Sequence, residues 1–576
     1  MDINGTYILN PAYYLRNDVK RCLIGAYDEA RFPDLEFDSN ITCHIHPANA
    51  QMLSFFDGKR TLAECITDIA GYFDLEQEQI KDILSNYIEN PQRIFWPYKN
   101  QLIILPKNVL VDGGKYLRRE YYNVDDFICG DDIDLSYGRQ YKPLSAIFEL
   151  TMTCYTDCIY CYADRKNPCA KKALSVEQIK KIIRDAKSIQ LPELDINGGE
   201  VLMHPHFKEI ALELVANGYF PLISTKAPIS EEMMVFLKQN GLTKVQISID
   251  SINPKTLATI LNTNQQYFSR IKSTMDMLDE MGFDWQTNSI ITKFNNSLED
   301  EIIPLMSLLT QYKNIKSIRI GPAGFSLYKS PDFYNSIKPS LASIERIEQY
   351  IQELEKEERL KIDFVISSPD TENDYNSKRH KEQHFDHRSV CTGNQRSFVI
   401  LPDGKVTICE ELYWHPNFII GDLTKQSILE VWNSDKAISL FNITQNKMQP
   451  ESQCKMCGVF DKCRGYQGVC WKIIVGAYGP NNWSYPDPRC PQACVFTKNI
   501  FGIIYFNIRC QNSNNMPQRT NFYSDEAQSI LGRAPSWVVR WGITVVFLIF
   551  VGIIVGCYFI KYPDTIEAPA VITTVN

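Results

Sequence analysis

The sequence predicts an α/β protein with a parallel sheet at its centre and smaller modules on either side. Three features predict this. From about 144 to 366, strand-like and helix-like stretches alternate, as consecutive parallel βα units do. Of the 18 cysteines, 12 fall between 154 and 169 or between 391 and 494, which is grouping rather than spread. Finally, 541–560 runs twenty residues without a charge, the length of a bilayer-spanning helix.

A chain of 576 residues has room for two to four domains. Its net charge of -8 argues against a nucleic-acid partner, since counterion release needs a basic surface. Clustered cysteines read as metal ligation in a reducing compartment, not as a disulfide framework. The opening Met1-Asp2-Ile3-Asn4-Gly5 has neither the basic start nor the apolar core of a signal peptide, so the main body is expected in the cytoplasm.

Residues 1–115 form the first module. Asp57-Gly58 reads as a turn. Thr61 and Glu64 make a capping box for a helix running toward Tyr72, and Asp74 is expected to cap a second helix. In that second helix Ile80, Ile83, Leu84, Tyr87 and Ile88 fall on one face. Apolar runs at 94–96 and 102–105, split by 97–100, predict a hairpin. Helices followed by a hairpin make a winged-helix-like unit. Its second helix carries Glu76, Glu78, Asp82 and Glu89 against Lys81, so DNA is not its ligand. The pattern is similar to the leader-peptide recognition domains of peptide-maturation enzymes, in which a substrate segment adds a strand to the hairpin edge. A docking domain that binds nothing is the plainer alternative.

The candidate strands of the central body are 146–152, 193–196, 220–224, 244–249, 286–291 and 317–320. Ligands of parallel βα folds gather at the C-terminal strand ends, and the conspicuous residues lie there. Cys154, Cys158 and Cys161 follow the first strand with Cys-x3-Cys-x2-Cys spacing. Three thiolates hold three irons of a [4Fe–4S] cluster and leave the fourth open to a small molecule. A structural zinc site or buried thiols are the alternative. Gly198-Gly199-Glu200 ends the second strand, where glycines allow close backbone approach. Ser224, Ser248 and Asp250 end the third and fourth, and Gly321-Pro322-Ala323-Gly324 ends the sixth. Cys169 lies outside the triplet and reads as an ordinary buried thiol.

The triplet and its flanks resemble those of radical S-adenosylmethionine (SAM) enzymes. The resemblance implies a partial (β/α)6 barrel at 144–366, with Cys154, Cys158 and Cys161 as the catalytic cluster ligands. The open iron would chelate SAM, and one electron would split the sulfonium to give a 5′-deoxyadenosyl radical. It also implies that Gly198, Gly199 and Glu200 bind the SAM amino group. Ser224, Ser248 and Asp250 would meet its carboxylate and ribose, and 321–324 would run near the adenine. Lys226 departs from the family, which often has Asn-Gly there. A strand-end turn with a helix cap is the competing reading of Ser248 and Asp250.

Residues 388–497 hold the second cysteine group: Cys391, Cys409, Cys454, Cys457, Cys463, Cys470 and Cys490, with Cys494 in reserve. Asp403-Gly404 predicts a hairpin that delivers Cys391 and Cys409 to one end. The pattern resembles the SPASM extension of peptide-modifying radical SAM enzymes. It implies one or two auxiliary [4Fe–4S] clusters, one on Cys454, Cys457, Cys463 and Cys490 and the other on Cys391, Cys409 and Cys470. Cys463 and Cys470 are farther apart than in relatives, and no fourth ligand for the second cluster is evident. A zinc ribbon on the first four is the alternative.

A polar linker (498–536) leads to the uncharged run at 541–560, read as one transmembrane helix that anchors a cytoplasmic body in the bacterial inner membrane. This tail, including 561–576, resembles the opening of membrane-fusion adaptor proteins of peptide secretion, cut short before any adaptor domain. Taken together the resemblances imply a radical SAM peptide maturase. Its partners would be a precursor peptide with a leader, a ferredoxin- or flavodoxin-type electron donor and a peptide-export ABC transporter. A sulfatase-maturing-type side-chain oxidase and a non-catalytic leader-binding iron–sulfur scaffold are the rivals.

Overall fold

The computed structural model describes residues 2–27, 35–39, 41–88, 90–116, 121–357, 361–364, 377–388, 390–465 and 468–493. Cys494, the linker, the 541–560 run and the adaptor-like tail lie outside the described residues. Among those described, no helix is long and apolar enough to cross a membrane.

The first strands, β1 (Thr6–Leu9), β2 (Tyr13–Asn17), β3 (Cys22–Ala26) and β4 (Thr42–Ile45), precede the helices anticipated from the sequence. β2, β3 and β4 form an antiparallel meander. β1 lies between β5 (Asp57–Thr61) and β8 (Leu110–Asp112). Helix α1 (Pro47–Ser54) is followed by α2 (Leu62–Phe73), which opens on the Thr61–Glu64 capping box, and by α3 (Gln77–Ser85), which buries Ile80 and Leu84. The hairpin pairs β6 (Ile94–Tyr98) with β7 (Gln101–Leu105).

Three details differ from expectation. Asp57 and Gly58 open β5 rather than turning the chain, and Gly58 at φ +77° accommodates an irregular pairing with β1. Asp74 closes α2 instead of opening α3. It sits at φ +53° and donates its N–H to the Ala70 carbonyl, a left-handed cap that aspartate tolerates, and Glu76 opens α3. Pro97 pairs within β6 opposite Leu102, which an edge strand permits because no N–H is required there.

In the central body, β9 (Ser145–Thr151) and β10 (Glu193–Gly198) run parallel. β11 (Ile223–Thr225), β12 (Lys244–Ser248), β13 (Asp284–Ile291), β14 (Ile315–Pro322) and β15 (Lys361–Phe364) form a second parallel sheet. β10 and β11 thus belong to separate hydrogen-bonded sheets, and β15 adds a strand to the six expected. β11 is shorter than predicted; Pro221 just before it has no N–H to give a ladder. Helix α4 (Val176–Ser188) shows how the layers adhere. It opens on a Ser175–Gln178 capping box and buries Ile179, Ile182, Ile183 and Ala186 on one face. Each of its buried isoleucines contributes about 2 kcal/mol of apolar burial.

The cysteine hairpin does not form a separate layer. β16 (Ser397–Ile400) runs parallel to β9. It pairs with β17 (Lys405–Thr407), which pairs with β18 (Ile419–Asp422), giving the order β10-β9-β16-β17-β18. Gly404 turns the hairpin at φ +84°. The strand that precedes the cysteine triplet is therefore bonded to the first strand of the hairpin whose second strand leads toward Cys409.

Candidate functional site

The loop after β9 carries Cys154, Cys158 and Cys161, and its shape comes from short local bonds. Thr153 donates its N–H to Thr151 Oγ1 at 3.0 Å, and Cys161 N–H reaches the Cys158 carbonyl at 3.1 Å. The Thr156 hydroxyl lies 3.1 Å from Cys158 Sγ and 3.9 Å from Cys154 Sγ. The loop rests on the end of helix α5 (Pro254–Leu261) through Asp157 N–H to Leu261 O and Ile159 N–H to Ile260 O.

Gly198 and Gly199 press against this loop's incoming arm. Gly199 N–H donates to Thr151 O at 2.6 Å and Glu200 N–H to Thr153 O at 2.8 Å. A Cβ on Gly198 would stand 2.3 Å from Thr151 O, and one on Gly199 2.3 Å from Thr153 O. The close approach allowed by these glycines is thus to the cluster loop itself. Glu200 is buried. Its carboxylate accepts from Leu202, Lys226 and Ala227 N–H groups at 3.0–3.3 Å, tying the end of β10 to that of β11. Burial nonetheless holds its pKa above the usual carboxylate value.

Ser224 accepts from Gln246 Nε2 at 2.8 Å, Gln246 from Gln286 at 3.0 Å and Gln286 from Ser317 at 3.3 Å, a polar ladder across β11 to β14. Ser248 ends β12, buried, level with Asn288. Asp250 accepts from Tyr160 OH and from Ile290 N–H, and Lys226 Nζ stands 3.5 Å from it. Lys226 also lies over the Tyr160 ring at 5.5 Å, and its charge opposes the burial that raises the Cys158 thiol to about 11. The sequence marked Lys226 only as a departure; its lysine in place of a glycine-bearing turn was the one available signal. Cys169 is half-buried and 3.8 Å from Lys405 Nζ, not fully buried as expected.

In the second cysteine group, Cys454, Cys457, Cys463 and Cys490 line one cavity together with Arg388 and Arg464. Arg388 donates toward Cys463 Sγ at 3.4 Å and Arg464 toward Cys454 Sγ at 3.9 Å. Two guanidiniums aimed at a four-cysteine cavity fit an iron–sulfur cluster, whose sulfurs take N–H hydrogen bonds. Burial raises the Cys409 thiol, and the charges of Cys470 and Cys391 add to it, which puts these three in one neighbourhood. Cys470 N–H donates to Asp487, which is buried and held low by Arg489. Among the described residues no three His, Cys, Asp or Glu side chains converge on a single metal ion, and a cubane spreads its ligands more widely than that.

Residues 148–309 match the radical SAM superfamily and 391–458 the SPASM iron–sulfur cluster-binding domain. The chain thus carries a radical SAM domain and a SPASM domain. Together these domains imply a SAM-binding [4Fe–4S] cluster and auxiliary iron–sulfur clusters. Relatives include the PqqA peptide cyclase of Xanthomonas axonopodis pv. citri, 26% identical over 52% of this chain and 77% of that one. Another is the mycofactocin maturase MftC of Mycolicibacterium smegmatis, 22% identical over 60% of this chain and 82% of that one. Among solved structures, Streptococcus suis SuiB bound to SAM superposes with a TM-score of 0.55 at 15% identity, covering 84% of this chain and 99% of that one. SuiB bound to its precursor peptide SuiA gives 0.53 at 14% identity.

Proposed function

We propose that this radical SAM enzyme modifies a ribosomally made precursor peptide whose leader docks on the N-terminal module. One observation carries the reading: the strand bearing the SAM-cluster loop is bonded directly to the hairpin that presents Cys409. A substrate held between them meets the radical source on one side and auxiliary clusters on the other. When bound, the cluster on Cys154, Cys158 and Cys161 supplies the electron that cleaves SAM. The chain's own residues hold the loop against Gly199 and Glu200, keep Asp250 and Lys226 beside it, and shield it with Tyr160.

The named relatives, a peptide cyclase and a peptide maturase, support a peptide substrate, as does the precursor-bound SuiB structure. The hairpin supports leader docking, because Phe95 and Leu102 are 40% and 52% exposed on neighbouring edge strands. Anaerobic reconstitution, reduction with dithionite and addition of SAM should yield 5′-deoxyadenosine. None formed, with or without a candidate precursor peptide, would make the protein a scaffold. Phe95→Glu with Leu102→Glu should weaken binding of that precursor about tenfold or more; unchanged affinity would remove the docking claim.

Around this core we place a ferredoxin- or flavodoxin-type donor, membrane anchorage by 541–560, and product export through a transporter related to the adaptor-like tail. The uncharged composition of that run and Arg533 and Arg540 before it support the anchor. Recovery of the full-length protein from washed membranes tests it, and recovery in the soluble fraction alone would overturn it.

A further inference from the structure

Glu149, on β9, is 1% exposed, and its Oε2 has no hydrogen-bond partner. A buried carboxylate without a donor is costly and rare. Burial pushes the Glu149 carboxyl well above its usual range, and the charge of a second carboxylate, Glu410, adds to that. The third carboxylate here, Glu411, is already paired with Lys472. The Lys472 charge also reaches Glu410, and Glu149 is the acid left with an unpartnered buried oxygen.

The walls are aromatic. Glu149 lies on the same face of β9 as Ile147, which packs in one cluster with Tyr413 and Tyr328. The Tyr413 ring lies 6.4 Å from that of Tyr162 and 5.7 Å, edge-on, from that of Tyr328. Tyr162 OH approaches Glu410 Oε2 at 3.5 Å, and Tyr328 OH donates to the Glu411 carbonyl at 3.3 Å. Tyr162 remains 36% exposed, so the group is not sealed. Tyr413 is held at φ +38°, a backbone state that bulky residues rarely adopt. Tyrosine faces beside an uncompensated carboxylate are the chemistry that recognises an ammonium or guanidinium.

The group also lies where a substrate would be handled. Tyr162 follows Cys161 and Glu410 follows Cys409, so it stands between the SAM-cluster loop and an auxiliary-cluster ligand.

We propose that Glu149, with Glu410 and the rings of Tyr162, Tyr328 and Tyr413, is a specificity site for a basic side chain of the peptide being modified. This rests on the peptide-maturase reading and adds to it a requirement for lysine or arginine at or beside the modified residue. Glu149 recognises the substrate and takes no part in SAM cleavage.

The test uses the full-length, anaerobically reconstituted protein and three synthetic probes, by titration calorimetry at neutral pH. They are Ac-Gly-Gly-Ala-Lys-Ala-Gly-Gly-NH2, the same peptide with norleucine for lysine, and the norleucine peptide with a free amino terminus. The lysine probe should bind about tenfold tighter than acetylated norleucine. In Glu149→Gln, which keeps size and shape, the preference should collapse while norleucine binding, circular dichroism and iron content stay unchanged. Equal affinities in the wild type, binding of neither, or a preference that survives in Glu149→Gln would overturn the site. A free-amine norleucine probe matching lysine would overturn the side-chain assignment in favour of a chain terminus. 5′-Deoxyadenosine formation by the wild type separates the two failures: product without a lysine preference overturns this site alone, and no product overturns the maturase reading.

Discussion

Arg139 grips Asn394 across 255 positions of chain: its Nε donates to the Asn394 carbonyl at 2.9 Å and its Nη2 to Asn394 Oδ1 at 3.2 Å. The same guanidinium lies 4.0 Å over the Trp432 ring, and Trp432 Nε1 donates to the Gln140 carbonyl at 2.9 Å. At its other side this linker is held by buried arginines of the N-terminal module. Arg16 donates to the carbonyls of Lys142 and Pro143, and Arg21 to those of Ser136 and Arg139. Residues 134–143 therefore form a strap between the N-terminal module and the segment that enters β16 near Cys391.

Arg139→Met should loosen that strap while leaving the local apolar volume. Loss of the charged hydrogen bonds and the ring contact should cost about 2–3 kcal/mol. The effect should appear as faster amide exchange over 134–143 with unchanged exchange in α4. Uniformly unchanged exchange would mean that the strap bears no load.

Local elements were legible in the sequence because their signals are local. The Thr61–Glu64 capping box, the apolar face of α3 and the hairpin of 94–105 fall where the spacing put them. The β2–β3 region was not legible, because nothing local marks Arg16, Asp18 and Arg21 as buried. They are exposed by only 1%, 0% and 1%, which is tolerable because carbonyls more than a hundred positions away accept from the arginines, while Asp18 pairs with Arg21 and accepts from Lys142 N–H. The candidate site divides the same way. Its cysteines announce themselves by spacing. The pairing of β9 with β16, and with it the meeting of Glu149, Glu410 and Tyr413, depends on which strands become neighbours, and no local pattern encodes that.

Gly199→Ala should disable the SAM-cluster loop. Its new Cβ would fall 2.3 Å from Thr153 O and 2.8 Å from the Met152 carbonyl carbon, so the backbone arm leading to Cys154 must move. A loss of about 2 kcal/mol or more is expected, with the cluster's iron lost alongside. Gly71→Ala, where nothing lies within 4 Å, is the control and should stabilise α2 by roughly 0.5–1 kcal/mol. Iron analysis with thermal unfolding reads both; a full iron complement in Gly199→Ala would contradict the close-packing account.

His44 gives the protein a specific acid weakness. Burial, with Arg21 beside it, lowers its pKa to about 4, against an ordinary value of 6.5. The unfolded chain protonates His44 as pH falls through 6.5, while the folded chain resists until about 4. Stability from this group is present above pH 6.5 and drains away on acidification, by about 3 kcal/mol in all. Denaturant unfolding of wild type and His44→Gln at pH 7.5 and pH 5 should therefore give curves that converge at the lower pH. Parallel losses would assign the weakness to other groups.

The three cysteine sets should separate on removal of one member from each. A [4Fe–4S] cluster needs most of its thiolates, so each single substitution should lower iron by about four per chain if its set holds a cluster. Cys158→Ala should abolish SAM cleavage and leave the remaining iron. Cys457→Ala should open the cavity faced by Arg388 and Arg464, leaving two guanidiniums without sulfur partners, and should reduce thermal stability as well as iron. Cys391→Ala acts on the group beside Cys409 and Cys470, next to the carboxylates and tyrosines at 410–413. It should spare SAM cleavage and impair peptide modification. Iron analysis, Mössbauer spectra and 5′-deoxyadenosine assays on the three variants distinguish these outcomes. If Cys391→Ala lost no iron, the three-cysteine group would be structural, and the auxiliary chemistry would rest on the four-cysteine cavity alone.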